Sequence, residues 1–240
     1  MRHLPPVILR KTSLVDYPGR VCAVIFLPGC NLRCPWCQNR ELVLAGDSAK
    51  DSTEGGDFIP PVEAMALIQK RKTVLGGVVI SGGEPTIHPA LGALVGEIHS
   101  LGLAVKLDTN GMNPSRLKEL WADRASRPDY IALDLKLAPG RYRELLSGPR
   151  SFDPAAALAE SAALLRDSGV EHEFRSLALP DAYFGAEDIK ALAPLAGGSP
   201  WNVRPFIPGN CLEPAWNSLP AAGEKETARL AEMARRKARP

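Results

Sequence analysis

The stretch YIALDLK, residues 130–136, decides the fold. In an extended chain Ile131, Leu133 and Leu135 face one way, and Ala132, Asp134 and Lys136 face the other. The same division recurs in LAVKLD from Leu103, where Val105 and Leu107 oppose Ala104, Lys106 and Asp108. It recurs again in EHEFR from Glu171, where Phe174 opposes Glu173 and Arg175. A strand of a doubly wound sheet has helices on both sides and is apolar on both faces. These strands are apolar on one face and charged on the other. That suits a barrel, whose apolar face meets outer helices and whose polar face lines a lumen.

Six strand-like runs alternate with helical patterns along the chain: VCAVIFL from Val21, GVVIS from Gly77, LAVKLD, YIALDLK, EHEFRSLAL from Glu171 and WNVRPFI from Trp201. Helices are predicted over 61–72, 89–101, 114–122, 154–167, 187–195 and 224–239. Several open with Pro in the first turn, where its missing N–H costs nothing. Gly102 and Gly169 stand where left-handed helix caps are expected. The alternation implies right-handed βαβ units and a mostly parallel sheet. Six units are too few for the eight-stranded barrel. The expected fold is therefore α/β, a partial open (β/α)6 TIM-like barrel with a cleft on one side; a doubly wound open sheet is the alternative. The polar stretch AGDSAKDSTEGGDFIPP, residues 45–61, reads as an exposed and mobile loop, and 139–151 as carrying a helical turn. Nothing marks a boundary. One domain over 1–240 is expected, with its core at about 17–210 and a closing helix within 220–239.

Composition excludes several classes. Of 240 residues, 45% are hydrophobic and 23% charged, which supports a packed core rather than disorder. Lys and Arg total 29 against 27 Asp and Glu, so the chain is not built mainly to grip nucleic acid or anionic membrane. No apolar run approaches the roughly 20 residues of a membrane span. The opening MRHLPPVILRKTS has no signal-peptide core, so a cytoplasmic location is the default.

The five cysteines are Cys22, Cys30, Cys34, Cys37 and Cys211, an odd count that makes a poor disulfide framework. Cys30, Cys34 and Cys37 form C-x3-C-x2-C in LPGCNLRCPWCQN, directly after the first strand-like run. Three thiolates this close can converge on one inorganic centre. Structural zinc wants four ligands, commonly as two separated pairs. An electron-transfer iron–sulfur cluster also wants four cysteines. A catalytic cluster would use three and leave one iron open. A fourth ligand would have to be Cys22, at the opposite end of its strand, or Cys211, at the cysteine-loop end of the fold.

With these residues in view, the chain resembles the radical S-adenosylmethionine (SAM) superfamily. VDYPGR before the first run is similar to the D-G-P-G-x-R signature of activases, with Tyr17 in place of the usual Gly. SGGEP, LDTNG and LDLK follow in family order. The best fit is the activating proteins of glycyl-radical enzymes, and within them those of anaerobic ribonucleoside-triphosphate reductase. KTSLVDYPG, CNLRCPWCQN and PGNCLEPAWN carry that last step.

The resemblance implies one 4Fe–4S cluster held by Cys30, Cys34 and Cys37, with SAM chelating the fourth iron. SAM is then cleaved reductively to a 5′-deoxyadenosyl radical, which takes a hydrogen from a partner's glycine. It implies Gly82, Gly83 and Glu84 at the amino group of SAM; the Glu84 carboxylate could instead brace the turn. It places Lys136 at the SAM carboxylate or ribose and Trp36 against adenine, or as a shield over the cluster. Asp108 and Asn110 join the SAM site. Asp108, Thr109 and Asp134 match positions that hold a monovalent cation in some activases, and an Asp134–Lys136 ion pair is the plain equivalent. Arg175 or Arg204 could bind the SAM carboxylate, since no histidine matches the one some activases use. His3, His88, His99 and His172 read as structural. Tyr17 and Asp16 are expected at the mouth, facing the partner. The implied partners are a glycyl-radical enzyme and a flavodoxin- or ferredoxin-type electron donor, with no membrane or nucleic acid. The alternatives within the superfamily are an activase of another glycyl-radical enzyme, of the pyruvate formate-lyase type, and an enzyme acting on a small molecule or tRNA; against the last stands the lack of net basicity and of an appended RNA-binding domain. An iron–sulfur electron carrier and a zinc-binding structural protein are the readings from other classes.

Overall fold

The computed structural model describes residues 4–45, 58–146, 152–180 and 183–238. Most of the loop expected at 45–61 lies outside them, as do His3 and the end of the 139–151 turn. The chain forms two compact units, each assembled from separate stretches. The first comprises Met1–Cys30, Glu41–Thr109 and Ser115–Ile131; the second comprises Asn31–Arg40, Asn110–Pro114 and Ala132–Pro240.

In the first unit β1 (Val7–Ser13) runs antiparallel to β2 (Cys22–Leu27), pairing Ile8 with Phe26 and Ser13 with Cys22. The short β3 (Phe58–Ile59) pairs with the outer edge of β1. β4 (Gly77–Gly82) runs parallel to β2, and β5 (Ala104–Thr109) parallel to β4. The helices are α1 (Arg40–Ala45), α2 (Pro61–Arg71), α3 (Leu91–Ser100) and α4 (Pro114–Ala122). α3 shows why the sequence folds this way: Leu91, Leu94, Val95 and Ile98 recur at helical spacing and are all buried.

β6 (Tyr130–Asp134) begins in the first unit and ends in the second. The second unit continues with α5 (Pro154–Asp167), β7 (Glu171–Ala178), α6 (Ala186–Ala196), β8 (Trp201–Pro205) and α7 (Glu224–Ala238). β7 and β8 are parallel. Leu158, Ser161, Ala162 and Leu165 form the buried stripe of α5, and Asp153 caps that helix by accepting from the Ala155 N–H at 3.0 Å.

The hydrogen-bonding order is β3-β1-β2-β4-β5-β6-β7-β8, one sheet whose ends do not pair, so it does not close. Stripped of β1 and β3, it is the six-strand open order expected from the sequence. Gly102 and Gly169 adopt φ of 77° and 69°, as their cap positions require. β1, β3 and α1 were not anticipated. β1 carries Arg10, Lys11 and Thr12 in a row, which masks its alternation.

β1 also corrects the placement of Tyr17. Because β1 and β2 are antiparallel, their connection lies at the N-terminal end of β2, away from Cys30. Tyr17 is 4% exposed and packs against Cys22, Val24 and Val79, with Tyr130 at 6.0 Å. It plugs the N-terminal ends of the strands and offers no surface for docking.

Candidate active site

In the first unit the C-terminal ends of three strands carry the motif residues. Cys30 follows β2, Gly82, Gly83 and Glu84 close β4, and Asp108 and Thr109 end β5. Two turns are bound to each other by main chain. The Gly83 N–H donates to Leu27 O at 2.9 Å and the Glu84 N–H to Gly29 O at 2.8 Å. A Cβ on Gly83 would lie 1.9 Å from Gly29 O and 3.4 Å from the Cys30 Cβ. The double glycine is therefore needed first for this close approach, which fixes the segment leading into Cys30. On the other flank the Gly29 N–H donates to Leu42 O of α1 at 2.7 Å, and His88 Nε2 donates to Pro28 O at 2.8 Å.

Glu84 is fully buried. Its Oε1 accepts from the Thr86 N–H at 3.0 Å, Thr86 Oγ1 at 2.5 Å and Thr109 Oγ1 at 2.8 Å. The carboxylate braces its own turn, the second of the two roles open from sequence. Beside it Asp108 Oδ1 meets Lys106 Nζ at 2.5 Å, and Oδ2 accepts from Ser81 Oγ at 3.1 Å. Lys106 and Asp108 share the charged strand face, as their i, i+2 spacing demands.

In the second unit Cys34 and Cys37 form a tight turn, with the Cys37 N–H donating to Cys34 O at 3.0 Å. The segment after β8 straps this loop: the Leu212 and Glu213 N–H groups donate to Cys37 O at 2.8 Å and Pro35 O at 3.0 Å. Cys211 beside the strap is buried. Trp36 is 4% exposed, with Tyr183 and Trp216 at ring distances of 5.5 and 5.4 Å. Asn110 donates from Nδ2 to Asn31 Oδ1 at 2.8 Å and accepts from the Met112 N–H, a loop-holding role.

Asp134, Lys136 and Arg175 form one ionic cluster. Lys136 Nζ lies 3.1 Å from Asp134 Oδ2, and Arg175 Nη2 lies 2.9 Å from Oδ1. Burial pushes the Asp134 carboxyl up, but Arg175 and Lys136 outweigh it and hold the pKa at about 2. Burial alone would lower Lys136; Asp134, then the Cys34 and Cys37 thiols, overcome this and raise it above the ordinary lysine value. Burial raises Cys37, opposed by the Asn39 N–H and Lys136. Tyr142, for which the sequence gives no signal, holds the backbone at the lysine: its hydroxyl accepts the Lys136 main-chain N–H at 2.8 Å. A cavity of about 210 Å³ is lined by Trp36, Asp134, Lys136, Arg175, Ser176 and Arg204, among others.

His99 bonds to Asp129, and His172 to Ser199, as structural histidines should. Cys22 is buried against the Ser13 carbonyl.

A sequence profile described as the Radical SAM superfamily matches residues 24–182, most of the chain. The chain belongs to the radical SAM superfamily. The family implies a 4Fe–4S cluster and SAM. The second unit's residues suit them: two thiols on one tight turn, a lysine beside those thiols, and a cavity with an indole wall and cationic side chains for a nucleoside and a carboxylate. A protein of Methanocaldococcus jannaschii designated a candidate glycyl-radical enzyme activating enzyme is 27% identical over 230 residues, 93% of this chain and 89% of that one. The pyruvate formate-lyase-activating enzyme of Clostridium pasteurianum is 26% identical over 192 residues, 77% of this chain and 73% of that one. A 7-carboxy-7-deazaguanine synthase of Hyperthermus butylicus is 38% identical over 109 residues, covering 44% of this chain and 42% of the synthase. Among solved structures, a radical SAM methyltransferase from Sphaerobacter thermophilus aligns with a TM-score of 0.63 at 16% identity, covering 99% of this chain and 76% of its own. That likeness concerns the fold alone. No helix among the described residues is long and apolar enough to cross a membrane.

Proposed function

We propose that this radical SAM enzyme activates a glycyl-radical enzyme, and that its partner is anaerobic ribonucleoside-triphosphate reductase. The observation that carries the activase reading is similarity to an activating enzyme over 93% of this chain and 89% of the relative. The reductase as partner rests on the motifs KTSLVDYPG, CNLRCPWCQN and PGNCLEPAWN.

Cys30, Cys34 and Cys37 would hold the single cluster through three irons. Held there, the reduced cluster would supply the one electron needed to cleave SAM to methionine and a 5′-deoxyadenosyl radical. The chain's own residues position and exclude. Gly82 and Gly83 bring main chain to the loop that ends in Cys30, and Glu84 holds that turn rigid. Lys136, its backbone held by Tyr142 and its ammonium by Asp134, lines the cavity. Arg204 also lines the cavity, whereas Arg175 is engaged by Asp134, so Arg204 is the better carboxylate partner. Trp36 offers the ring for adenine and, with Tyr183 and Trp216, keeps water from the cysteine loop. A flavodoxin- or ferredoxin-type donor and a cytoplasmic setting belong to this reading.

Reduced, SAM-loaded protein incubated anaerobically with the reductase should give the electron paramagnetic resonance doublet of a glycyl radical. The doublet should vanish when the target glycine is replaced by alanine. Absence of a radical on the reductase, with turnover of a free small molecule, favours the second reading. That is a small-molecule enzyme, for which the 38% identity to the deazaguanine synthase over 109 residues speaks.

A further inference from the structure

The carboxylates that would hold a monovalent cation already carry cations of the chain itself. Asp108 meets the Lys106 ammonium at 2.5 Å through Oδ1, while its Oδ2 takes the Ser81 hydroxyl at 3.1 Å. Asp134 carries Lys136 at 3.1 Å and Arg175 at 2.9 Å. Both oxygens of each carboxylate are engaged, so the donor set does not fit an added sodium or potassium ion.

We propose that the Lys106 ammonium is a built-in counter-ion for Asp108, taking the place of a bound monovalent cation and freeing the enzyme from any requirement for one.

The geometry favours the side chain over an ion. Lys106 is only 2% exposed, while Asp108 is 18% exposed. An ion that displaced the ammonium would leave it buried and unpaired, a desolvation cost that a weakly bound monovalent ion does not return. The pair is also local. Residues i and i+2 of one strand point to the same face, so the lysine reaches its partner without closing a loop. Its other side is furnished as well. Lys106 Nζ lies 6.0 Å from the Tyr130 ring centroid, and Tyr130 packs at 6.0 Å against Tyr17. A continuous row, Tyr17–Tyr130–Lys106–Asp108–Ser81, thus runs within the first unit. It gives the tyrosine at position 17 a use: it backs the ring that backs the ammonium. Lys106 is a positioning residue, acting through Asp108.

The functional consequence rests on the activase reading only in placing Asp108 at the SAM site; the ion-binding claim stands apart from it, and the test separates the two. Anaerobically reconstituted protein is exchanged into tetramethylammonium chloride and titrated with sodium chloride. Sodium NMR line broadening reports ion binding, and calorimetry reports SAM affinity. Wild type should show no saturable sodium broadening displaced by potassium, and the same SAM affinity in either salt. Lys106→Met should acquire saturable sodium binding. Its SAM affinity should fall by about tenfold in tetramethylammonium and recover in sodium, as expected for a half-buried carboxylate stripped of its partner. Lys106→Arg should behave as wild type. Saturable, potassium-displaceable sodium binding by wild type overturns the proposal, as does a folded Lys106→Met protein with normal iron that ignores sodium. If Lys106→Met does not fold, Lys106→Gln replaces it, and the wild-type titration decides alone if neither folds. Failure of every variant and of wild type to bind SAM would count against the proposed function, while the sodium signal still decides this inference.

Discussion

Replacing Gly83 with alanine should damage the protein before SAM ever binds. The new Cβ would sit 1.9 Å from Gly29 O and 2.6 Å from Gly29 C, main-chain atoms that cannot rotate away. To relieve this, the β4 turn and the segment before Cys30 must separate by more than an ångström. That breaks the 2.8 Å bond from the Glu84 N–H to Gly29 O. The lost bond costs about 1 kcal/mol, and forcing volume into a packed site costs about 1–3 kcal/mol. The total is roughly 2–4 kcal/mol. At about 2–4 °C per kcal/mol for a chain of this size, Tm should fall by roughly 5–15 °C. Thermal unfolding of the metal-free protein, followed by circular dichroism, measures this without the cofactors. Gly223→Ala is the control, because a Cβ there meets nothing within 4 Å. A Gly83→Ala protein melting within about 2 °C of wild type would refute the close-approach argument and leave Gly83 as a residue required only by the ligand.

Three further outcomes are expected. Cys30→Ala, Cys34→Ala and Cys37→Ala should each lose the cluster's iron and all SAM cleavage, whereas Cys22→Ala should keep both; iron analysis after anaerobic reconstitution decides. The Asp134 carboxyl is depressed from 3.8 to about 2 by Arg175 and Lys136, so its stabilising effect is complete above the unfolded value and is lost as pH falls toward 2. Wild type should therefore lose roughly 2 kcal/mol relative to Asp134→Asn between pH 5 and pH 2; parallel acid unfolding curves for the two proteins would exclude the ion pair as a source of stability. Tyr17→Ala should cost about 3–5 kcal/mol, as for other buried aromatics; a Tyr17→Ala protein of normal stability that fails to activate its partner would restore the docking role that burial denies it.

The alternation of apolar and charged residues in YIALDLK and LAVKLD was enough to indicate an open barrel-type sheet rather than a doubly wound one, because strand periodicity is a local property. The cysteine spacing, the double glycine and the helix caps were equally legible, since each depends on residues a few positions apart. What the sequence left open turned on long-range contact. Glu84 could bind a ligand or brace its turn, and only the arrival of Thr109 from another strand shows that its Oε1 braces. Tyr17 read as a mouth residue until β1 paired antiparallel with β2 and carried it to the opposite strand ends. Tyr142 carries no motif at all, and PGNCLEPAWN does not by itself show that its Leu212 N–H straps Cys37, because a hydroxyl or a main-chain N–H becomes specific only through what it meets. The sequence by itself determined which residues could do the chemistry. Only the tertiary structure decided which of their polar groups are already spent on one another, because an ion pair or hydrogen bond between distant segments exists only once the chain has brought them within about 3 Å.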